Sequence, residues 1–286
     1  MKIEEIKTIG VCGAGTMGSG IAQVAAQSGF RVILFDVNNE FVNRGLQQID
    51  KNLAFAVSKN KMSETDKASC LTRIKTTDHI HEVIADIVIE AVIEKKDVKQ
   101  NLFKQLHEVN GAKTIFASNT SSIPINTIAE EVPNPERVAG MHFFNPPFLM
   151  KLVEVVQSTT TSDETAQCIY DLCLKLGKVP VRAKDRPGFI VNRIGKMYHT
   201  EPIKIVEDGL ADVETVDTLL ESCGFKMGPF KLIDLIGVDA NLNVTKSLYE
   251  LMKHAPQFAP SHLQQQLVDE GRWGKKSGKG FYDYTT

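Results

Sequence analysis

The chain has a single tryptophan, five cysteines and almost no net charge. Its 33 Lys and Arg stand against 35 Asp and Glu, a balance of −2. No bulk basic field therefore exists to draw in nucleic acid or an anionic membrane, although a local basic patch stays compatible with that sum. Cys12, Cys70, Cys168, Cys173 and Cys223 contain no CxxC pair and are odd in number. That usage argues for reduced thiols and against a disulfide frame or a zinc site. No apolar run approaches the roughly 20 residues of a membrane span. A strand-like segment begins within a few residues of the N-terminus, with no signal or transit pattern before it. These absences point to a cytoplasmic protein with no metal site, no membrane partner and no nucleic-acid partner. A processed organellar chain would look the same.

What is present is ordinary globular composition: 286 residues, 42 % apolar and 24 % charged. At about 150 residues per domain this suggests two domains, ample to bury a core without staples. A short apolar run at 6–12 is followed by a glycine cluster, an Ala-rich helical stretch at 21–28 closed by Gly29, and a second apolar run at 31–36. Strand, turn, helix and strand make a βαβ unit. Helical, charged spacing then covers about 40–76 as two helices parted near 60–63. This is longer than a crossover requires and reads as a projecting helical arm. Strands are expected at 86–92, 114–117, 137–142, 152–156 and 179–181, with a helix at 99–107. Pro187 and Gly188 break the chain. Beyond them only helical patterning follows, at 190–207, 213–222, 231–251 and 261–270, before a Gly- and Lys-rich tail ending in FYDY. No internal repeat or low-complexity segment appears.

Gly13-Ala14-Gly15-Thr16-Met17-Gly18 fits G-x-G-x-x-G, placed after a strand and before a helix, the context that gives this motif weight. The first glycine allows the tight turn, the second lets a pyrophosphate approach the backbone, and the third allows close helix–strand packing. The helix N-terminus offers unpaired N–H groups to the phosphates. Asp36 ends the second strand 18 residues beyond Gly18, near the spacing of about 20 at which an acid accepts the ribose hydroxyls. It is followed by Val37, Asn38 and Asn39 rather than by Arg, which favours NAD over NADP. A flavin is the alternative occupant of such a turn. The expected fold is an α/β Rossmann-type domain at 1–185, followed by an all-α C-terminal domain at 186–286.

His142 falls at the end of an apolar run in Met141-His142-Phe143-Phe144-Asn145-Pro146. A histidine at the carboxyl end of an α/β strand lies on the usual ligand side and titrates in the range suited to general base work. Glu154 sits inside the apolar run Lys151-Leu152-Val153-Glu154-Val155-Val156. A carboxylate there either faces solvent or has a buried partner, and the sequence leaves both open. As a partner of His142 it would fix the tautomer and stabilise the imidazolium. Ser118-Asn119-Thr120-Ser121-Ser122 follows another strand. Its hydroxyls suit either a reacting oxygen or an ordinary turn.

In this order, GAGTMGSGIAQ, ASNTSS, MHFFNPP, MKLVEVV, RPGFIVNR, MGPFKLID and KKSGKGFYDY resemble the L-3-hydroxyacyl-CoA dehydrogenases, in particular the short free-standing 3-hydroxybutyryl-CoA dehydrogenases. The likeness runs from about residue 5 to 284. It implies NAD, an acyl-CoA thioester substrate and a helical domain that forms a homodimer. By the same resemblance His142 is the catalytic base, Glu154 its partner, and Ser121 the contact to substrate oxygen and nicotinamide. Asn192, in FIVNR, is similar to the substrate-side asparagine. Glu94 and Lys99 resemble ribose and nicotinamide contacts, and Asn145 a further nicotinamide-side contact. Lys59 falls near the lysine that binds a CoA phosphate, among the equally basic Arg44, Lys51 and Lys61.

One stretch departs from the pattern. After Asn192-Arg193 the chain reads Ile194-Gly195-Lys196-Met197-Tyr198-His199-Thr200-Glu201-Pro202, where relatives tend to be apolar. Pro202 is expected to kink this helix and Gly195 to loosen it. Two further readings stand beside the first: a related NAD-dependent dehydrogenase of a free hydroxy or sugar acid, and a non-catalytic dinucleotide-binding protein.

Overall fold

The first apolar run folds as β1 (Thr8–Cys12), and the glycine turn leads straight into α1 (Thr16–Gln27) and then β2 (Arg31–Phe35). The computed structural model describes residues 1–285. It separates into two compact units, Met1–Arg186 and a second from Pro187 onward. The first unit continues with α2 (Asn39–Ser58), α3 (Glu64–Thr72), β3 (Ile74–Thr77), β4 (Ile87–Glu90), α4 (Lys96–Asn110), β5 (Ile115–Ser118), α5 (Ile125–Ala129), β6 (Val138–Phe143), β7 (Leu152–Gln157), α6 (Asp163–Lys175) and β8 (Val179–Lys184). The strands form one sheet in the order β3-β2-β1-β4-β5-β6-β7-β8. All neighbouring pairs are parallel except β6 with β7. Every residue of β4, β5 and β6 is buried, as expected of central parallel strands covered on both faces.

The segment at 40–76 differs from a projecting arm that is helical throughout. Helix ends at Thr72, and β3 extends the sheet by pairing Val32 with Ile74. Ile49 and Leu53 of α2 and Cys70 of α3 join the core that also holds Ile21 and Ala25 of α1. The amphipathic spacing that suggested an arm therefore serves to cover the sheet. Helix α6 has no counterpart in the sequence reading, yet its signals are ordinary. The Ser162 side chain accepts from the Thr165 N–H, and Ala166, Ile169, Leu172 and Cys173 bury one face, an N-cap followed by helical periodicity.

The second unit contains α7 (Val191–Gly195), α8 (Met197–Glu207), α9 (Val213–Ser222), α10 (Pro229–Ile236), α11 (Val238–Leu251) and α12 (His262–Asp269). The single helix expected at 231–251 is two, because Gly237 takes φ +107 between them, a conformation open to glycine and strained for other residues. The helix expected at 190–207 is also two. Its interruption falls at Lys196, one residue after Gly195, while Pro202 lies buried inside α8. The FYDY tail is structural. Asp234 accepts the Phe281 and Tyr282 N–H groups at 2.9 Å each and the Tyr284 hydroxyl at 3.0 Å.

The unusual helix carries a buried polar cluster. The Lys196 ammonium donates to the Asn241 carbonyl at 2.9 Å, Asn241 Oδ1 at 3.1 Å and Thr245 Oγ1 at 2.9 Å. Asn241 Nδ2 donates to His199 Nδ1 at 2.8 Å. Burial pushes the lysine down to about 7. Burial and then the Lys196 charge push His199 down to about 3. Between about 7 and the ordinary 10.5 the unfolded chain holds a Lys196 proton that the fold lacks, so stability rises with pH across that window. Urea titrations at pH 7, 8 and 9 are expected to show rising unfolding free energy, with a shallower rise in Lys196→Met. Equal slopes in the two proteins remove Lys196 as the source.

Candidate active site

Strands β1, β4, β5 and β6 run parallel as sheet neighbours, so their carboxyl ends share one edge. The chain order reverses between β1 and β4, where α/β sheets open a ligand crevice. Gly13, the 91–95 turn, the Ser118–Ser122 turn and His142 all follow or end these strands. Strand β7 runs the other way, so Glu154, near its start, returns to the same edge.

The glycine turn is shaped to receive a ligand at its middle position. A Cβ on Gly13 (φ +102) would lie 2.4 Å from the Ala91 carbonyl oxygen, and one on Gly18 would lie 1.6 Å from the Gly13 oxygen. Both positions are filled by packing. A Cβ on Gly15 meets no atom within 4 Å, and Gly15 and Thr16 are exposed at the start of α1 with Met17 half-buried. That open backbone in front of a helix N-terminus fits a pyrophosphate. Asp36 closes the rim, its carboxylate accepting the Ala14 N–H at 2.7 Å and the Val37 N–H at 2.8 Å. Asp36 lines one hollow with Gly15 and Thr16. It also lines a second, of about 540 Å³, whose apolar walls include Phe35, Val37, Ile80, Val92 and Val98. A carboxylate shared by the hollow at the glycine turn and a second, partly apolar one suits the ribose of an adenosine. Reading the neighbours of Asp36 along the chain misses Arg44, which α2 brings into the first hollow. Glu40 holds that guanidinium at 2.6 Å.

Beyond the crevice, Glu94 clamps the turn that carries Ser121. Its Oε1 accepts the Thr120 hydroxyl at 2.5 Å, the Ser121 N–H at 3.0 Å and the Ser122 hydroxyl at 3.1 Å. Its Oε2 meets the Lys99 ammonium at 3.0 Å. Burial opposes the charge on Glu94, yet Lys99 and these donors hold its carboxyl below the usual range. Asn119 Oδ1 accepts the Phe143 N–H at 2.8 Å, tying the same turn to the residue after His142. The sequence singled out neither Asn119 nor Thr120, because their contacts cross between strand ends.

The histidine and the glutamate meet. His142 and Glu154 are directly paired across β6 and β7, and opposed residues in an antiparallel ladder project from one face. His142 Nδ1 lies 2.7 Å from Glu154 Oε2, with the histidine 6 % and the glutamate 0 % exposed. The partner alternative for Glu154 is therefore the observed one. An ionised carboxylate only accepts, so the proton between them sits on Nδ1, and in a neutral ring the lone pair is then on Nε2. The Phe144 ring lies tilted against the imidazole, their centroids 4.6 Å apart. The exposed Asn145 lies three residues beyond His142. Lys59 is not part of this grouping: it caps the end of α2 with its ammonium 5.6 Å from the Phe55 ring. Asn192 is on α7 of the second unit, half-buried. Among the described residues no cluster of His, Cys, Asp and Glu is arranged to hold a metal ion, and all five cysteines are free.

The NAD-binding domain of 3-hydroxyacyl-CoA dehydrogenases matches residues 8–186, and the C-terminal domain of the same enzymes matches residues 188–284. The chain belongs to the 3-hydroxyacyl-CoA dehydrogenase family. Its first unit is the family's NAD-binding domain, and the family consists of NAD-dependent oxidoreductases. The chain is 44 % identical to a probable 3-hydroxybutyryl-CoA dehydrogenase of Bacillus subtilis, covering 98 % of each. It is 45 % identical to a 3-hydroxyadipyl-CoA dehydrogenase of Escherichia coli, covering 98 % of this chain and 59 % of that one. It therefore spans little more than half the length of the E. coli relative. The crystal structure of an (S)-3-hydroxybutyryl-CoA dehydrogenase from Ralstonia eutropha superposes with a TM-score of 0.94 at 39 % identity, covering 99 % of this chain and 100 % of that one. Asp36 lines both hollows beside the glycine turn, a position that suits an adenosine ribose. Asp36→Ala is expected to narrow the preference for NADH over NADPH. An unchanged ratio of the two binding constants removes Asp36 from that role.

Proposed function

We propose that the chain interconverts (S)-3-hydroxyacyl-CoA and 3-ketoacyl-CoA thioesters of short acyl chain, with NAD as cofactor, as a cytoplasmic homodimer. The observation that carries this reading is the buried His142–Glu154 pair, 2.7 Å apart at the carboxyl edge of the sheet. A protein that only binds a dinucleotide has no use for a buried acid–base pair beside its cofactor crevice. The B. subtilis relative is named for the 3-hydroxybutyryl thioester, which favours the short chain.

Bound NAD supplies the hydride acceptor. In the oxidative direction His142 takes the 3-hydroxyl proton at Nε2, since Nδ1 already donates to Glu154. The Glu154 carboxylate then faces an imidazolium, and the attraction between them lowers the cost of the charge. The Ser121 hydroxyl holds the oxygen as it becomes a carbonyl, and Asn192 is the second unit's candidate substrate contact. Asp36 takes the ribose hydroxyls and the Gly13–Gly18 turn the pyrophosphate. Glu94, Lys99 and Asn145 position the nicotinamide half, and Lys59 takes a CoA phosphate. In the reductive direction the imidazolium returns the proton to the same oxygen.

The deciding assay is NADH oxidation with acetoacetyl-CoA, run beside free acetoacetate and beside NADPH. Turnover with NADH and the thioester alone is expected. Turnover of the free acid moves the chain to the hydroxy-acid dehydrogenases, and NADH binding without turnover of either makes it a binder. Within the active enzyme, His142→Ala is expected to lower kcat by about 100-fold or more, the usual cost of losing a general acid–base, with NADH binding retained. Near-normal turnover removes His142 from the mechanism.

A further inference from the structure

Beneath the cofactor crevice lies a second buried carboxylate to which neither the motifs nor the proposed reaction gives a part. Glu90 is the last residue of β4, paired with Cys12 of β1 on one side and Ser118 of β5 on the other. It has no exposed surface. Oε1 accepts from the Lys99 ammonium at 2.6 Å and from the Val92 N–H at 2.8 Å. Oε2 accepts from the Ser118 hydroxyl at 2.6 Å, and the Glu90 carbonyl accepts the Asn119 N–H at 2.8 Å. One residue thus ties together the end of β5, the turn after β4 and the first turn of α4. Lys99, 1 % exposed, is shared between Glu90 and Glu94, and Glu94 in turn holds the Ser121 N–H.

Burial raises the Glu90 carboxyl against this charged neighbourhood. A buried ion pair of this kind stabilises little beyond an apolar substitute, because desolvation offsets the attraction. Its worth lies in geometry: a Lys ammonium is a point charge on a flexible stem, and a fixed carboxylate decides where it rests.

We infer that Glu90 is a positioning residue for the cofactor half of the site, fixing the Lys99 ammonium between two carboxylates so that Glu94 stays clamped on the Ser121 turn. The inference rests on the NAD reading of the crevice but not on the identity of the thioester. Glu90 touches neither cofactor nor substrate and acts only through Lys99 and Ser118. Glu90→Gln keeps the shape and one acceptor oxygen for Lys99 and the Val92 N–H, removes the charge, and turns the atom facing the Ser118 hydroxyl from an acceptor into a donor. The ammonium is then left with Glu94 alone and is drawn away from the strand end.

The experiment is a double-mutant cycle read by NADH fluorescence titration, with thermal unfolding of each variant alongside. Glu90→Gln and Lys99→Met are each expected to weaken NADH binding about tenfold, and the double variant is expected to lose about the same tenfold and not their product. A general loosening of the fold would give multiplied effects that track the unfolding temperature. Multiplied losses, or a Glu90→Gln protein that binds NADH like the wild type, overturn the inference. If Glu90→Gln does not fold, Ser118→Ala reads the same coupling. It is expected to weaken binding about threefold in the wild-type background and not at all beside Lys99→Met, and equal losses in both backgrounds overturn the inference. A folded wild-type chain that binds no NADH overturns the cofactor reading and this inference with it. NADH binding without thioester turnover overturns the proposed reaction alone, because the cycle reads cofactor affinity.

Discussion

A carboxylate with no contact to water survives in a folded chain only where donors surround it. At Glu154 and at Glu90 that requirement organises the carboxyl edge of the sheet. Glu154 needs His142, which sets the antiparallel register of β6 and β7, since a slip of one residue would turn every side chain to the opposite face. Glu90 needs Lys99 and Ser118, which sets how the start of α4 and the end of β5 meet β4. This edge is held by buried charge, with the apolar core supplying the walls that make unpaired charge so costly.

The two pairs differ in what they do with that constraint. In the proposed reaction the His142–Glu154 pair is built around a group that changes charge. Its carboxylate therefore faces a partner that becomes more strongly bound as the proton arrives. No proton of the proposed reaction passes through the Glu90–Lys99–Glu94 chain. It distributes one cation between two anions, and through Glu94 it holds the backbone from which Ser121 projects. A reacting oxygen at this edge would meet a hydroxyl on a turn held by the residues that follow β4. Serine by itself, on a free turn, would have no such definition.

The second unit solves the same problem without a carboxylate. Lys196 is surrounded by a backbone carbonyl, an amide oxygen and a hydroxyl, neutral acceptors that satisfy its hydrogen bonds and leave its charge uncompensated. Asn241 orients both Lys196 and His199, accepting from the ammonium through Oδ1 and donating through Nδ2 to His199 Nδ1. The departure that marks this helix in the sequence is thus a polar core, and the proline that attracts the eye first is accommodated within α8.

The sequence by itself determined the elements whose signals are local: the βαβ unit, the glycine turn, the acid at the end of β2, and the helical patterning after Pro187. These rest on spacing along the chain, and the chain carries that information in any window of a few dozen residues. The Ser162 cap and the apolar face of α6 are local signals of the same kind. Edge strand β3 and the split at Gly237 were hidden for a better reason: a four-residue strand and a positive φ depend on what lies across the sheet or around the turn. His142 and Glu154 stood out as residue types, but their 2.7 Å contact, the clamp of Glu94 on the Ser121 turn and the place of Glu90 beneath it were decided only by tertiary structure. Each joins residues 12 to 28 positions apart, and only strand order and register bring such residues together.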